Sequence, residues 1–97
     1  MNLKSQITEQ MKDAMRAKDT ARLGAIRLLL AAIKQREVDE RIELTDADII
    51  SVIEKMLKQR RDSITAFESA GRTDLADIEK YEVSVLQTYM PKQMTDA

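Results

Sequence analysis

The chain has no cysteine, no histidine and no tryptophan, and only 2 glycines and 1 proline among its 97 residues. Without cysteine and histidine, a disulfide framework, a thiolate nucleophile and a serine–histidine triad are excluded. With so few glycine and proline residues, the many tight turns of an all-β fold cannot be built. These absences favour a helical protein, and we predict no catalytic residue, no cofactor and no metal site.

The composition is that of a folded chain. Hydrophobic residues make up 43% of it and charged residues 34%, proportions that are typical of globular rather than disordered proteins. The longest purely apolar run, residues 28–33, is far too short to cross a bilayer, and no apolar segment follows the first residues. Together with the lack of cysteine, this predicts a soluble, cytoplasmic protein with no membrane partner.

Hydrophobic periodicity indicates an all-α domain with four helices. The predicted helices cover residues 3–17, 20–40, 46–70 and 74–90. Asn2, Thr45 and Thr73 are the predicted N-caps of the first, third and fourth helices, because a short polar side chain there accepts a free backbone N–H. Gly71 is predicted to take the left-handed conformation that ends the third helix. The third and fourth helices then form a long antiparallel hairpin.

Each helix carries one apolar stripe that is predicted to face the core. The members of these stripes are Leu3, Ile7, Met11, Ala14, Met15, Leu23, Ile26, Leu29, Leu30, Ile33, Ile49, Ile50, Ile53, Met56, Leu57, Ile64, Phe67, Leu75, Ile78, Val85, Leu86 and Tyr89. Leu28 falls on the opposite side of the second helix. One hypothesis for the function is therefore a protein-interaction or scaffold module that uses Leu28 and the nearby Ala32.

The net charge of −1 hides four blocks of alternating sign. Along the chain the blocks are basic in residues 1–36, acidic in 37–54, basic in 55–61 and acidic in 62–97. Within the first acidic block, Asp46 and Asp48 stand at the predicted start of the third helix, where negative charge is favourable. Helix capping explains this pair better than a metal site. The acidic block is also an alternative surface for a protein partner.

Two charged residues fall on apolar stripes. At 100° per residue, Arg60 lies between Ile53, Met56 and Ile64 on the third helix, and Glu82 lies among the apolar residues of the fourth. A buried charge is costly unless it is paired. We therefore predict an Arg60–Glu82 salt bridge across the helical hairpin. The alternative for Arg60 is the binding of a phosphate or of a ligand carboxylate.

Three further cations of the third helix lie away from the centre of its apolar stripe: Lys55, Lys58 and Arg61. One interpretation is a solvated helix face, with Asp62 neutralising Lys58 one turn away. The other is a nucleic-acid-binding patch that contacts phosphates, joined by Arg72 beyond the turn or by Arg27 and Lys34. So few basic residues would support a modest, salt-sensitive affinity.

Four segments carry a recognisable pattern: residues 11–19, residues 58–64 with Gln-Arg-Arg, residues 70–75 with Ala-Gly-Arg, and the Tyr-Met-Pro ending at 89–91. Together they resemble the YqeY family, in which leucine more often precedes the proline. The resemblance covers essentially the whole chain.

The resemblance implies a bacterial, cytosolic protein similar to the tail region of the B subunit of tRNA-dependent amidotransferases, which are carbon–nitrogen ligases with glutamine as amido donor. In those enzymes the tail helps to hold the tRNA, and the chemistry lies in other domains and subunits. The implied function is a non-catalytic accessory module, with tRNA and a protein of the aminoacylation or amidation machinery as partners. The implied architecture is a helical N-terminal domain over residues 1–90, with residues 91–97 leading to a C-terminal domain.

Overall fold

The computed structural model describes residues 2–90, which form four helices and no strand. The helices are α1 (Leu3–Arg16), α2 (Thr20–Glu40), α3 (Asp46–Ser69) and α4 (Thr73–Gln87). The prediction of an all-α domain with four helices is therefore confirmed. The predicted tail at 91–97 lies outside the described residues. Within residues 2–90, no helix combines the length and the apolar character needed to span a bilayer.

Polar side chains at the helix starts satisfy backbone N–H groups that have no partner inside the helix. The Asn2 side chain accepts a backbone N–H of the first turn of α1 at 2.8 Å. Thr45 and Asp48 form a capping box at the start of α3. Asp46 reaches across to α1 and accepts the backbone N–H of Leu3 at 3.0 Å. The starts of α1 and α3 are thereby joined.

The hairpin of α3 and α4 turns at Gly71, whose φ of +75° lies in the left-handed region. The backbone N–H of Arg72 donates to the carbonyl of Phe67 at 2.8 Å, and that of Gly71 donates to Glu68 at 3.1 Å. These two bonds make the Schellman ending that glycine favours. Near the same turn, Lys80 Nζ lies 2.7 Å from Glu68 Oε2 and links the two helices.

The start of α4 differs from the prediction. Arg72, not Thr73, is the N-cap residue of α4, and its side chain makes no capping hydrogen bond. Because Arg72 is already tied to the end of α3, Thr73 becomes the first helical residue. At its other end α4 stops at Gln87 and passes into a turn that includes Met90, since the residue before a proline is disfavoured in a helix.

The core lies between all four helices, and its largest fully buried members are Ile7, Ile26, Leu29, Ile33, Ile49, Ile53 and Leu86. Two predicted core residues are on the surface instead: Met15 is 47% exposed and Ile78 is 57% exposed. Met15 lies in the last turn of α1, where the chain turns away towards α2. Ile78 faces the first turns of α2, where the side chains are too small to cover it.

Candidate functional site

The two charged residues that fall on apolar stripes meet across the hairpin. Arg60 Nε lies 3.1 Å from Glu82 Oε1, and the side chains are only 14% and 17% exposed. The guanidinium donates directly to the carboxylate, so the desolvation of each charge is compensated by its opposite charge. This geometry gives Arg60 a structural role at the α3–α4 contact.

The cations predicted to bind phosphates on α3 are all exposed. Lys58 Nζ lies 3.6 Å from Asp62 Oδ2, with both side chains more than 70% exposed, which makes this a weak surface pair. Lys55 and Arg61 make no ion pair within residues 2–90. Lys55 and Arg61 are separated by about 9 Å along the helix axis and by about 120° around it. The structure thus presents a short arc of three cations, two of which are unpaired.

Arg72 does not lie in this arc. It lies past the end of α3, and Arg61, the nearest of the other three, is about 12 Å from that end along the helix axis. The guanidinium Nη2 of Arg72 lies 3.3 Å from Asp74 Oδ2, and this hydrogen-bonded contact lowers the pKa of the Asp74 carboxyl. Of the four residues predicted to contact nucleic acid, Arg72 is therefore both distant from the others and neutralised by a neighbour.

Two further cations lie on α2. Arg27 and Lys34 are seven residues apart, are exposed and make no ion pair within residues 2–90. Lys55 faces a different side of α2, because it lies opposite Arg36, which is about 200° around the helix from Lys34. The structure therefore does not bring Arg27 and Lys34 together with Lys55.

A polar groove of about 540 Å³ separates the second half of α2 from the first half of α3. Lys55 lines it together with Gln35, Gln59 and Ser51. The other charged residues of this groove belong to α2, and one pair of them, Arg36 and Glu40, is joined at 2.8 Å. The Lys55 ammonium therefore stands near neutral hydrogen-bonding groups and near the carboxylate of Asp39, which accepts from Gln35 Nε2 at 2.9 Å.

An apolar groove of about 630 Å³ lies on the other flank of α2, between its first half and α4. Leu28, Ile78 and Tyr81 line this groove, and they are 46%, 57% and 39% exposed. Leu28 and Ala32 were predicted to share one contact surface, but they lie in different grooves. Leu28 lines this apolar groove, whereas Ala32 lines the polar groove beside α3.

Gly24 lies in the floor of the apolar groove. It is in the interior of α2, where glycine costs about 0.5–1 kcal/mol relative to alanine. A Cβ atom built at this position would meet nothing within 4 Å. Packing within the domain therefore does not account for a glycine at this position.

The acidic block of residues 37–54 serves mainly to hold the helices. Asp48 accepts the backbone N–H of Thr45 at 3.1 Å, and this bond and the Thr45 hydroxyl lower the pKa of Asp48. Asp46 bonds to Leu3, as described above. No group of three or more potential metal ligands occurs within residues 2–90. The contacts of Asp46 and Asp48 are therefore those of helix-capping residues.

Glu37 is a structural residue that sequence reasoning missed. Both of its carboxylate oxygens lie 3.0 Å from Lys4 Nζ, and one of them accepts the backbone N–H of Leu44 at 3.0 Å. Its side chain is 17% exposed. The bond from Leu44, followed by the one from Lys4, lowers the pKa of Glu37. The spacing along α2 could have indicated this role, because Glu37 follows the buried Ile33 by four residues and so lies on the same side of the helix.

The stability of the domain should depend on the charge of Glu37. Because the folded-state pKa lies below the usual 4.5, the ionised carboxylate stabilises the fold fully above that value, and this contribution disappears as pH falls through the lowered pKa. We expect Glu37→Gln to melt at a lower temperature than wild type at pH ~6, and the gap to narrow progressively as the pH falls below the usual pKa of the carboxyl. Thermal melts followed by circular dichroism measure both.

The matched control for this experiment is Glu54→Gln, because Glu54 is exposed on α3 and makes no ion pair within residues 2–90. Its melting temperature should stay close to that of wild type throughout the pH range. A Glu37→Gln gap that stays constant with pH would contradict the role assigned to the charge.

Tyr89 is the one buried residue with an unsatisfied side-chain oxygen within residues 2–90. It is 5% exposed, and burial raises the pKa of its hydroxyl, an effect that the nearby Arg22 partly opposes. Arg22 itself donates to Gln10 at 3.4 Å.

Curated relatives of the chain include yeast proteins with one shared name, "Altered inheritance of mitochondria protein 41, mitochondrial". The protein from Eremothecium gossypii is 39% identical over 85 residues, which cover 87% of this chain and 46% of the relative. The protein from Clavispora lusitaniae is 36% identical over 88 residues, which cover 91% of this chain and 51% of the relative. The chain thus spans about half the length of the curated relatives it matches.

These names correct the predicted location. The relatives from Eremothecium gossypii, Vanderwaltozyma polyspora and Kluyveromyces lactis are all named as mitochondrial proteins, so the prediction of a cytoplasmic protein is wrong. They are also yeast proteins, which does not match the bacterial source that the resemblance implied. Lack of cysteine indicates only that no disulfides are needed, and it does not distinguish one reducing compartment from another.

The family assignment rests on a match that covers nearly the whole chain. The model described as "Yqey-like protein" matches residues 4–97. The matched range includes the Gln-Arg-Arg segment that contains Arg60 and the Ala-Gly-Arg segment that turns the hairpin, so two of the four segments of the resemblance lie in the α3–α4 hairpin. The chain belongs to the YqeY family.

Proposed function

We propose that this domain is a non-catalytic accessory module that binds tRNA through the exposed cations of α3. The observation that carries the proposal is that Lys55 and Arg61 are exposed and unpaired within residues 2–90 while Lys58, between them, has only a weak surface partner. Cations that are not committed to carboxylates are free to displace counterions from a phosphate backbone.

The sequence resemblance supports the choice of RNA over other polyanions. The chain resembles the tail region of the amidotransferase B subunit, which holds tRNA without taking part in the chemistry. A module of this kind works beside an enzyme of the aminoacylation or amidation machinery. The polar groove beside Lys55 supports the same choice, since Gln35, Gln59 and Ser51 offer hydrogen-bonding groups next to the ammonium.

The expected affinity is modest. The chain carries a net charge of −1, so long-range attraction of RNA is weak and the local cations must supply the binding. Each phosphate contact adds about 0.7–0.9 to the slope of log affinity against log salt concentration. A site with two or three contacts therefore loses most of its affinity between low and moderate salt.

The test is the salt dependence of binding to an unmodified tRNA transcript, measured by gel retardation and by fluorescence anisotropy. We expect wild type to retard the transcript at low ionic strength. The double variant Lys55→Gln/Arg61→Gln should lower the salt slope by about 1.4–1.8, since each phosphate-contacting cation contributes about 0.7–0.9.

The control is Lys12→Gln/Arg16→Gln, which changes the net charge by the same amount on α1. Both control residues already pair with carboxylates, Lys12 with Glu9 at 3.6 Å and Arg16 with Asp13 at 2.7 Å. This variant should bind the transcript almost as well as wild type. Absence of retardation at low ionic strength, or an equal loss in the control, would overturn the proposal.

A protein-interaction module is the second candidate function, and one observation favours it. Leu28 lies on the predicted off-face of α2 and is 46% exposed in a groove with two other large apolar side chains, Ile78 and Tyr81. Apolar side chains that are grouped in a groove are more typical of a binding site than those that are scattered singly over a surface.

A further inference from the structure

We propose that the groove between α2 and α4 binds an amphipathic helix of a partner protein, with apolar side chains in the groove and lysine or arginine residues along the flank that faces Asp77. This inference rests on the second candidate function and is independent of RNA binding. It gives that function a binding site, a class of partner and the sign of the partner's charge.

The groove has the cross-section that a helix requires. Its α2 wall is built from Ala21, Gly24 and Ala25, all of which are small, and larger apolar side chains stand on either side. Small residues allow a second helix to approach closely, and flanking apolar residues then cover its ridge. The α2 wall runs from Ala21 to Leu28, about 10 Å, which matches two turns of a docked helix.

Gly24 is the observation that points to an occupant from outside the domain. Glycine weakens the interior of a helix, and a conformational reason is absent because α2 is regular through this position. A packing reason within the domain is absent too, since a Cβ atom would enter open space. Close approach by another chain explains the residue, because a side chain at position 24 would occupy the space that the docked helix needs.

The charges of the groove select the kind of helix. Among the residues that the structure describes, the charged ones that line it are Asp77 and Glu82, both acidic. Glu82 is engaged with Arg60 at 3.1 Å, whereas Asp77 is exposed and makes no ion pair within residues 2–90. A partner helix with Lys or Arg on its flank complements Asp77. RNA phosphates would be repelled by the same residues.

A second copy of this chain is a poorer occupant. A two-fold interface places the same patch on both sides, and the charged residues of α4 that line this patch, Asp77 and Glu82, are both acidic. Two acidic α4 surfaces would then face each other across the interface, which is unfavourable. The charge pattern therefore commits the groove to a basic partner helix.

The experiment selects ligands from a phage-displayed library of helix-forming 16-residue peptides, using the full chain as target. We expect the enriched peptides to share apolar residues at i, i+3 or i+4, and i+7, with Lys or Arg next to this stripe. Synthetic copies of these peptides should shift the NMR signals of Leu28, Ile78 and Tyr81 and leave those around Lys55 unchanged.

Three variants of the chain make the test specific. Gly24→Arg fills the groove with a cationic side chain and should weaken peptide binding at least tenfold, and Gly24→Ala, whose added methyl group also enters the space of the docked helix, should weaken binding by a smaller factor. Asp77→Lys should reject the basic peptides and enrich acidic ones when the selection is repeated. Circular dichroism melts establish that each variant is folded.

Several outcomes would overturn the inference. They are a selection that enriches no peptide, enriched peptides that bind Gly24→Arg as well as wild type, and sedimentation that shows a dimer of this chain which Gly24→Arg dissociates. Because Lys55 and Arg61 are unchanged in all three variants, binding of the tRNA transcript should persist in each. Failure of the groove inference is therefore distinguishable from failure of the RNA proposal.

Discussion

Replacing Ile53 by alanine is expected to lower the free energy of unfolding by about 3 kcal/mol. Ile53 is fully buried on the core-facing side of α3, so the change removes apolar contacts and leaves a cavity that close-packed neighbours fill only in part. A domain of this size is stable by about 5–15 kcal/mol, so the loss is a large share of the total. Urea unfolding followed by circular dichroism measures it.

The matched control is the same change at Ile78, which is 57% exposed on α4. Ile78→Ala should change the free energy of unfolding by less than about 0.5 kcal/mol, because little apolar area is returned to water. Equal losses at the two positions would contradict the burial that the structure assigns to them, and with it the open groove beside α2.

Removing the carboxylate of Glu82 is the second change with a large expected effect. Glu82→Leu leaves the Arg60 guanidinium, only 14% exposed, without its partner on the inner side of the hairpin. An ionised group left unpaired in such a place costs more than the hydrogen bond itself. We expect a loss of about 2 kcal/mol, a value reduced from that of fully buried pairs because both side chains retain some contact with water.

The double variant Arg60→Met/Glu82→Leu should recover most of that loss. Two apolar side chains of similar volume remove both charges together, and such replacements are often neutral or stabilising. The four proteins of the double-mutant cycle, unfolded in urea, give the coupling energy directly. A double variant as unstable as Glu82→Leu alone would show that lost packing, rather than the unpaired charge, causes the effect.

Much of this fold follows from local patterns that are readable in the sequence. Asn2, with the Thr45–Asp48 capping box, marks helix starts because side-chain capping depends on neighbouring residues only. Gly71 marks the hairpin turn because glycine, without a Cβ atom, takes the left-handed conformation at no steric cost. The contact of Arg60 with Glu82 can also be predicted from the sequence, because each of the two charges interrupts the apolar stripe of its helix and the two helices are consecutive.

The burial of single side chains is much harder to obtain from periodicity. Met15 and Ile78 lie on the apolar stripes, but whether a stripe residue is covered depends on the size of the side chains that face it. Ile78 faces Ala21 and Gly24, which cover little. Glu37 shows the reverse case, because its burial depends on Lys4 and Leu44, which approach from other elements.

The candidate sites divide in the same way. The sequence shows that Lys55 and Arg61 are cations outside the apolar stripe, and the i,i+4 spacing of Lys58 and Asp62 predicts their pairing. The sequence does not show that Asp74 pairs with Arg72 at 3.3 Å, or that Lys55 lies beside Arg36 of α2 in one groove. Distances between charges on one helix are predictable, whereas distances across elements depend on how the helices pack.

By itself, the sequence determined the fold class, the four helices, the turn at Gly71 and the family, since these depend on residue spacing and short motifs along one chain. Only the tertiary structure decided which cations are free, which acidic residues hold helices together, and that Leu28, Ile78 and Tyr81 share one groove. The physical reason is that exposure and pairing are properties of two surfaces in contact. Helical periodicity describes each of those surfaces separately.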